Sequence, residues 1–204
     1  MINHSSTPLH TGMTRTEFRQ VIRARRNQLS EQQQQDDAHQ LLDTLLKVDE
    51  WVNASTIALY LSFDGEINTQ NLIQWCWDHG KRVCVPVLHP FSTGQLLFLE
   101  YTPSTPMRIN QYNIAEPALN QLSIVPVATI DLIATPLVGF DNNGHRIGMG
   151  GGYYDRTLAP FLHTTTGPMA LGLAHHCQHV EKLPTESWDV PLPCIVTPSK
   201  IWRW

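Results

Sequence analysis

Basic residues are in short supply. Lys and Arg together number 14 against 18 Asp and Glu in 204 residues, a net charge of −4 with histidine neutral. Such a chain has no excess of cations to neutralise a phosphate backbone, which excludes nucleic acid as a general partner and makes any anion site a local one. Cysteine is scarcer still. Cys76, Cys84, Cys177 and Cys194 form no C-x-x-C pair and lie mostly among apolar neighbours, so they read as reduced core residues and not as a disulfide frame or zinc site. The ten histidines, His175, His176 and His179 among them, show no ligand spacing backed by cysteine or carboxylate. No apolar run approaches the roughly 20 residues of a membrane span, and residues 1–12 are polar and lack the apolar centre of a signal peptide. The expectation is a cytoplasmic protein with no membrane partner, monomeric, with residues 1–13 a disordered leader and 14–204 a single domain.

What is present is a globular composition, 42% apolar and 16% charged, and one unusual stretch. Residues 144–156 read Gly-His-Arg-Ile-Gly-Met-Gly-Gly-Gly-Tyr-Tyr-Asp-Arg. Gly148, Gly150, Gly151 and Gly152 fall within five positions, and glycine reaches positive φ without strain and has no Cβ to block close approach. Successive N–H groups can therefore converge on an anion. A helix is expected to follow over 153–162, interrupted at Pro160, and its N-terminus would add positive dipole. The stretch is not a P-loop, which ends in Gly-Lys-Ser/Thr where this chain has Gly-Tyr-Tyr. Nor is it a dinucleotide fingerprint, because Tyr153 stands where the third glycine belongs and the nearest apolar run, 131–138, ends ten residues before Gly148.

Elsewhere the pattern is of an α/β protein. Capping boxes at Thr14 to Glu17 and Ser30 to Gln33 open two helices, the first with Phe18, Val21, Ile22 and Leu29 at near-helical spacing, the second with Ala38, Leu41, Leu42, Leu45 and Leu46 inward. Arg15, Arg19, Arg23 and Arg26 share one face of the first helix. With Arg25 they concentrate five arginines in a chain that has few, either a solvated face or a resource for an anionic ligand. Buried strands are expected over 56–63, 81–87 and 131–138, a more alternating one over 96–101, and short ones over 169–174 and 194–197, with a helix over 69–79. Strand, helix, strand is the unit of a parallel sheet covered on both sides. Residues 102–124 form a polar, proline-punctuated excursion. The turn carrying Asp64 and Glu66 and the glycine stretch both follow strand ends, where open parallel sheets bind ligands, so they are expected to share one cleft.

The Arg-rich first helix, the strand end Leu61-Ser-Phe-Asp-Gly-Glu66, the block from Arg146 to Asp155, and the tail from Trp188-Asp189 to Ile195-Val-Thr-Pro-Ser-Lys200 together resemble the 5-formyltetrahydrofolate cyclo-ligase family. The resemblance runs from about Thr14 to the end. It implies a three-layer Rossmann-like α/β fold with a mostly parallel central sheet and helices on both faces. It also implies conversion of 5-formyltetrahydrofolate and ATP, with Mg2+, into 5,10-methenyltetrahydrofolate, ADP and phosphate. The formyl oxygen would attack the γ-phosphate, nitrogen-10 would close the ring on the phosphorylated imidate, and phosphate would leave. That chemistry asks for positioning and charge stabilisation and not for a covalent nucleophile.

By the same resemblance Arg15 and Arg19 match the basic pair that contacts ATP. Many members have lysine where this chain has Arg15, which exchanges a point ammonium for a planar fork. Arg146, Ile147, Gly148, Met149, Gly150, Gly151, Gly152, Tyr153 and Tyr154 match the ATP-binding loop, and Met149 to Tyr153 the part that also touches folate; Arg146 and Tyr153 are expected to act in catalysis. Leu61 and Glu66 match the folate-binding strand end, where an apolar wall and a carboxylate suit a pterin bearing N–H donors. Asp155 and Asp189 match the magnesium-linked carboxylates, and Lys200 is a further candidate for the phosphates. Some members carry basic residues where this chain has neutral Met149 and Gly151, so phosphate charge would lean on Arg146, the first helix and the metal. Two other readings stand beside this one. One is a folate-binding module without turnover; the other is a sugar-phosphate isomerase with Glu66 or Asp64 as base.

Overall fold

Both capping boxes form. In the computed structural model, which describes residues 12–111, 114–162, 164 and 166–204, the Glu17 carboxylate accepts from Thr14 N at 2.7 Å and the Thr14 hydroxyl accepts from Glu17 N at 3.3 Å. They start α1 (Arg15–Asn27), and Ser30 with Gln33 does the same for α2 (Glu31–Leu45). Each box satisfies N–H groups that a helix start would otherwise leave open. The leader expected over 1–13 lies outside the described residues as far as Thr11; Met13 is buried beside Phe18 and Ile22. A one-turn helix absent from the sequence reading, α3 (Asp49–Asn53), buries Trp51.

The chain then enters β1 (Thr56–Ala58), α4 (Gln70–Asp78), β2 (Arg82–Leu88), β3 (Leu96–Glu100), a ribbon of β4 (Met107–Ile109) with β5 (Ala115–Pro117), and β6 (Ile124–Val125). It continues through β7 (Leu132–Pro136), a second ribbon of β8 (Gly139–Phe140) with β9 (Arg146–Ile147), α5 (Tyr153–Leu158), β10 (Met169–Leu173), β11 (Cys194–Thr197) and β12 (Lys200–Arg203). Eight strands make one sheet in the order β12-β11-β10-β7-β1-β2-β3-β6. The five central strands are parallel and the outer ones, β12, β3 and β6, antiparallel.

Alternation along the strands divides their side chains between two faces. Ile57, Val83, Leu132, Ala134 and Leu171 face α2, α3 and α4, whereas Ala58, Cys84, Ile133 and Ile195 join Phe98, Phe140 and Leu158 of α5 on the other side. Both faces are thus buried, as the continuous apolar runs require. The layers are unequal, three helices on one face against the short α5 and irregular chain on the other. The four cysteines are unpaired thiols; burial pushes Cys76 and Cys84 up to about 12 and Cys177 and Cys194 up to about 11. Among the described residues no group of three or more His, Cys, Asp or Glu is placed to hold a metal, and no helix is long and apolar enough to cross a membrane.

The first strand departs from expectation. Its ladder spans three residues, prolonged by a bond from Leu59 N to Cys84 O at 2.9 Å, and not the eight of 56–63. The apolar run goes on because Tyr60, Leu61 and Phe63 wall a cleft after the strand has ended. The run 131–138 likewise stops as a strand at Pro136, and its remainder leads into the β8–β9 ribbon, which carries the chain from the sheet to the glycine stretch. On this ribbon α1 packs, through Phe18 and Ile22 against Val138 and Ile147. Helix α1 therefore lies beyond the carboxyl ends of the parallel strands, which brings its arginines to the loop.

Candidate active site

The glycine loop, between β9 and α5, is a wall with a pocket on either side. Gly148, Gly151, Gly152 and Asp155 line both. On one side a cleft of about 590 Å³ is bounded by Tyr60, Leu61, Phe63 and Glu66 beyond the end of β1, by Pro86 to Leu88 of β2, and by Pro136 and Leu137 at the end of β7, with Arg146, Met149, Tyr153 and Tyr154 along the loop. It is mostly apolar. On the other side a pocket of about 530 Å³ is bounded by Arg15 and Arg19 of α1, by Gly150 and Arg156, and by Glu186, Trp188 and Asp189. The expected sharing of one cleft by the Glu66 turn and the glycine loop is what the fold produces.

The cations of α1 divide by partner. Arg26 is fully buried and donates to Asp64 O at 2.8 Å, to the Asp64 carboxylate at 2.7 Å and to Leu137 O at 3.3 Å; Arg23 donates to the same carboxylate at 2.7 Å. These two hold the turn that presents Glu66 and line neither pocket. Asp64, kept below its ordinary value first by the Arg23 bond, is committed to them and has no role as a free base. Arg15 and Arg19 reach the second pocket. Arg15 makes a two-pronged bond to Asp189, 2.5 and 2.9 Å, which raises its affinity for its proton, and another bond to Pro184 O at 3.0 Å. Arg19 donates to Gly148 O at 2.7 Å; burial, then the charge of Arg15, lower its pKa.

Across the loop Arg146 donates to Asp155 Oδ1 at 2.8 Å, and Val190 N donates to the same oxygen at 3.2 Å. Arg146 is buried, its Nε has no partner, and burial lowers its pKa against the pull of Asp155 and Asp189. An unpartnered guanidinium nitrogen at a ligand cleft is what an incoming anion would satisfy. Asp189 is pushed up by burial, but the Arg15 and Glu186 N–H bonds and the charges of Arg15 and Arg146 outweigh that and hold it low.

Glu66 is the opposite case. Burial raises it to about 7 although the nearby Arg26 charge and the Phe63 N–H oppose this. Tyr60 and Tyr154 feel the same surroundings, and burial followed by the Glu66 charge keeps both phenols protonated. The Tyr60 hydroxyl is buried without a partner.

Other expected residues land elsewhere. Ile147 is fully buried in the α1 core and lines neither pocket, and Tyr154 lines the cleft and not the arginine pocket. Lys200 lies on the edge strand with its ammonium 3.3 Å from the centre of the Trp202 ring, outside both linings. The sequence reading missed the far wall of the cleft. Asn110, Ile114, Ala115 and Glu116 of the 102–124 excursion line it. The Glu116 carboxylate is buried and accepts from Arg108 at 2.8 and 3.1 Å and from Asn110 at 3.0 Å. A signal was available, since Arg108 and Glu116 are the charged residues of an otherwise neutral stretch and pair across the β4–β5 ribbon.

A mostly parallel α/β sheet with an apolar, carboxylate-bearing cleft beyond its strand ends and an arginine- and glycine-lined pocket that shares the same loop as a wall defines an α/β protein with two adjoining pockets of opposite character. Comparison with known proteins narrows the class. The model of the 5-formyltetrahydrofolate cyclo-ligase family matches residues 12–198, and the chain belongs to that family. It is 50% identical over 184 residues to the 5-formyltetrahydrofolate cyclo-ligase of Escherichia coli K12, covering 90% of this chain and 100% of that one. Against the Haemophilus influenzae protein of the same name it is 49% identical over 178 residues, covering 87% and 94%. The NMR structure of Aquifex aeolicus 5,10-methenyltetrahydrofolate synthetase superposes with a TM-score of 0.78 at 26% identity, covering 94% of this chain and 93% of that one. Membership leaves the isomerase reading without support.

Proposed function

We infer that the protein is an ATP-dependent ligase that converts 5-formyltetrahydrofolate into 5,10-methenyltetrahydrofolate with release of ADP and phosphate. The observation that carries this reading is the glycine loop as the common wall of two pockets. A folate in the apolar cleft and a nucleotide in the arginine pocket would meet at Gly151 and Gly152, where the formyl oxygen and the γ-phosphorus must come into line. Glu66 accepts N–H groups of the pterin in this reading, with Leu61, Met149 and Tyr153 against the ring. Arg146, Arg15, Arg19 and the loop N–H groups from Gly148 to Gly152 take up phosphate charge, most valuably in the transition state.

Magnesium fits the donor set as a visitor carried by phosphates. Asp155 and Asp189 would hold it; the Asp155 bonds to Arg146 and Val190 N fall on one oxygen, Oδ1, whereas both Asp189 oxygens already accept from Arg15. A cation that takes one or two carboxylates and completes its shell with phosphate oxygens and water needs no larger cluster. Bound there, it would neutralise charge on the nucleotide. The cytoplasm and a monomeric state accord with this reading.

The test is the near-ultraviolet absorbance of the protein with 5-formyltetrahydrofolate and magnesium, with and without ATP. An absorbance rise from the methenyl product that requires ATP is expected. Folate binding without that rise would leave a binding module in place of a ligase.

A further inference from the structure

The second pocket holds more arginine than the family resemblance assigned to it. Arg156 follows the Tyr-Tyr-Asp block, lies on α5 and lines the arginine pocket. Its Nε donates to Gly94 O at 2.7 Å, across the loop between β2 and β3, and its Nη2 donates to Gly151 O. The guanidinium carbon lies 5.7 Å from the centre of the Tyr153 ring. Glycines clear the notch it occupies: a Cβ on Gly94 would stand 2.6 Å from Nη2, and one on Gly152 2.8 Å from Nη1. Both glycines also stand at positive φ, +80° and +64°, so the backbone is bare where the guanidinium rests.

The partners of the pocket's arginines set Arg156 apart. Arg15 is neutralised by Asp189, and Arg146, across the loop, by Asp155. Among the described residues, Arg19 and Arg156 are the pocket's guanidinium groups held by backbone carbonyls with no carboxylate ion-paired to them. A carbonyl is a neutral acceptor, readily exchanged for a charged phosphate oxygen. The loop itself brings no cation, since Met149 and Gly151 are neutral. Position decides which phosphate. Gly151 and Gly152, against which the guanidinium rests, form the wall common to pocket and cleft, where the terminal phosphate would face the other ligand.

We propose that Arg156 is a phosphate-binding residue of this chain, held ready by the Gly94 and Gly151 carbonyls and gripping the terminal phosphates of the nucleotide at the junction of the two pockets, where it supplies the cation that Met149 and Gly151 do not. The proposal rests on the reading of the second pocket as the ATP site. Its fork also ties the glycine loop to the 89–95 loop, which joins the cleft-lining Leu88 and Leu96.

The experiment is an equilibrium titration of the full chain, with magnesium, against ATP, ADP and AMP, for wild type, Arg156→Gln and Arg156→Lys, with 5-formyltetrahydrofolate binding and melting temperature measured alongside. Arg156→Gln is expected to weaken ATP and ADP by about 10- to 100-fold, the scale of a charge-assisted phosphate bond. AMP and 5-formyltetrahydrofolate should change by less than about threefold on the same scale, and Arg156→Lys should recover part of the loss. Unchanged ATP affinity in Arg156→Gln overturns the proposal. Equal losses for ATP, AMP and folate with a lowered melting temperature also overturn it, and make Arg156 a structural tie between loops. A wild type that binds no nucleotide removes the ATP site itself, and the proposal with it.

Discussion

Arg146 and Asp155 stand at opposite ends of the glycine loop and are joined across it at 2.8 Å, Arg146 buried and Asp155 partly so. The bond closes residues 146–155 into a ring whose backbone faces both pockets. Removing the guanidinium would leave Asp155 with the Val190 N–H but without its cation, and the loop without its brace. Arg146→Ala is expected to lose turnover by at least 100-fold while circular dichroism keeps its native form, with stability lowered by about 3 kcal/mol. Single-turnover kinetics with denaturant melts would check it; near-normal turnover would take Arg146 out of the mechanism.

Glu66 carries a pH signature. Its folded value, about 7, lies above its ordinary 4.5 because burial disfavours the charge. The folded state therefore holds the proton more tightly, and the stability this contributes is complete below about 4.5 and is lost as pH rises to about 7, amounting to about 3 kcal/mol. Denaturant melts of wild type and Glu66→Gln between pH 4.5 and 8 should diverge over that window, the variant lacking this loss. Parallel curves would place the titration elsewhere. A pterin N–H donor would favour the ionised form, so the KM for folate should rise in wild type as pH falls below about 7.

The two arginines on Asp64 should differ although they share one carboxylate. Arg26 is completely enclosed, and Arg26→Ala would leave the Asp64 and Leu137 carbonyls short of a donor, a loss of about 3 to 5 kcal/mol. Arg23 is 41% exposed, and Arg23→Ala should cost about 1 kcal/mol or less. Neither substitution should raise the KM for ATP more than about twofold at equal folded fraction, because neither residue lines a pocket. A large selective effect of Arg23→Ala on ATP would return it to the ligand site.

Two loop glycines should respond differently to alanine. Gly152 caps α5 at φ +64° and its Cβ would meet Arg156, so Gly152→Ala should destabilise by roughly 1 to 2 kcal/mol from backbone strain alone. Gly148 has ordinary φ, and the nearest atom to an added Cβ is Arg146 Nη1 at 3.8 Å. Gly148→Ala should leave stability within about 0.5 kcal/mol, yet its methyl enters the wall between the pockets and should raise the KM for both substrates. Thermal melts and steady-state kinetics on the pair would separate strain from obstruction.

Much of this architecture was legible in one dimension. The capping boxes at Thr14 and Ser30 formed as read, because a cap depends on residues three apart. Residues 194–197 were read as a strand to the residue, and the parallel unit joining β1 to β2 followed from apolar runs around a helix. The glycine block, with the strand end at Leu61 to Glu66, pointed to the family that the matching model bears out. What was misread involved distant partners. The run 56–63 looked like one long strand because apolar residues lining a cleft and apolar residues filling a core have the same composition.

The sequence by itself determined where the first two helices begin, where the short strand 194–197 lies, and that a bare-backbone loop would stand at 148–152 ahead of a helix, all consequences of contacts within a few residues. The tertiary structure alone decided which arginine serves which purpose. Arg15 and Asp189 meet across 174 positions, Arg26 meets Asp64 across 38, and Arg156 reaches Gly94 across 62. A guanidinium carries the same charge wherever it stands. Whether it braces a turn, neutralises a carboxylate or waits for a phosphate depends on the acceptor the fold places within 3 Å of it, and no local pattern of residues specifies that acceptor.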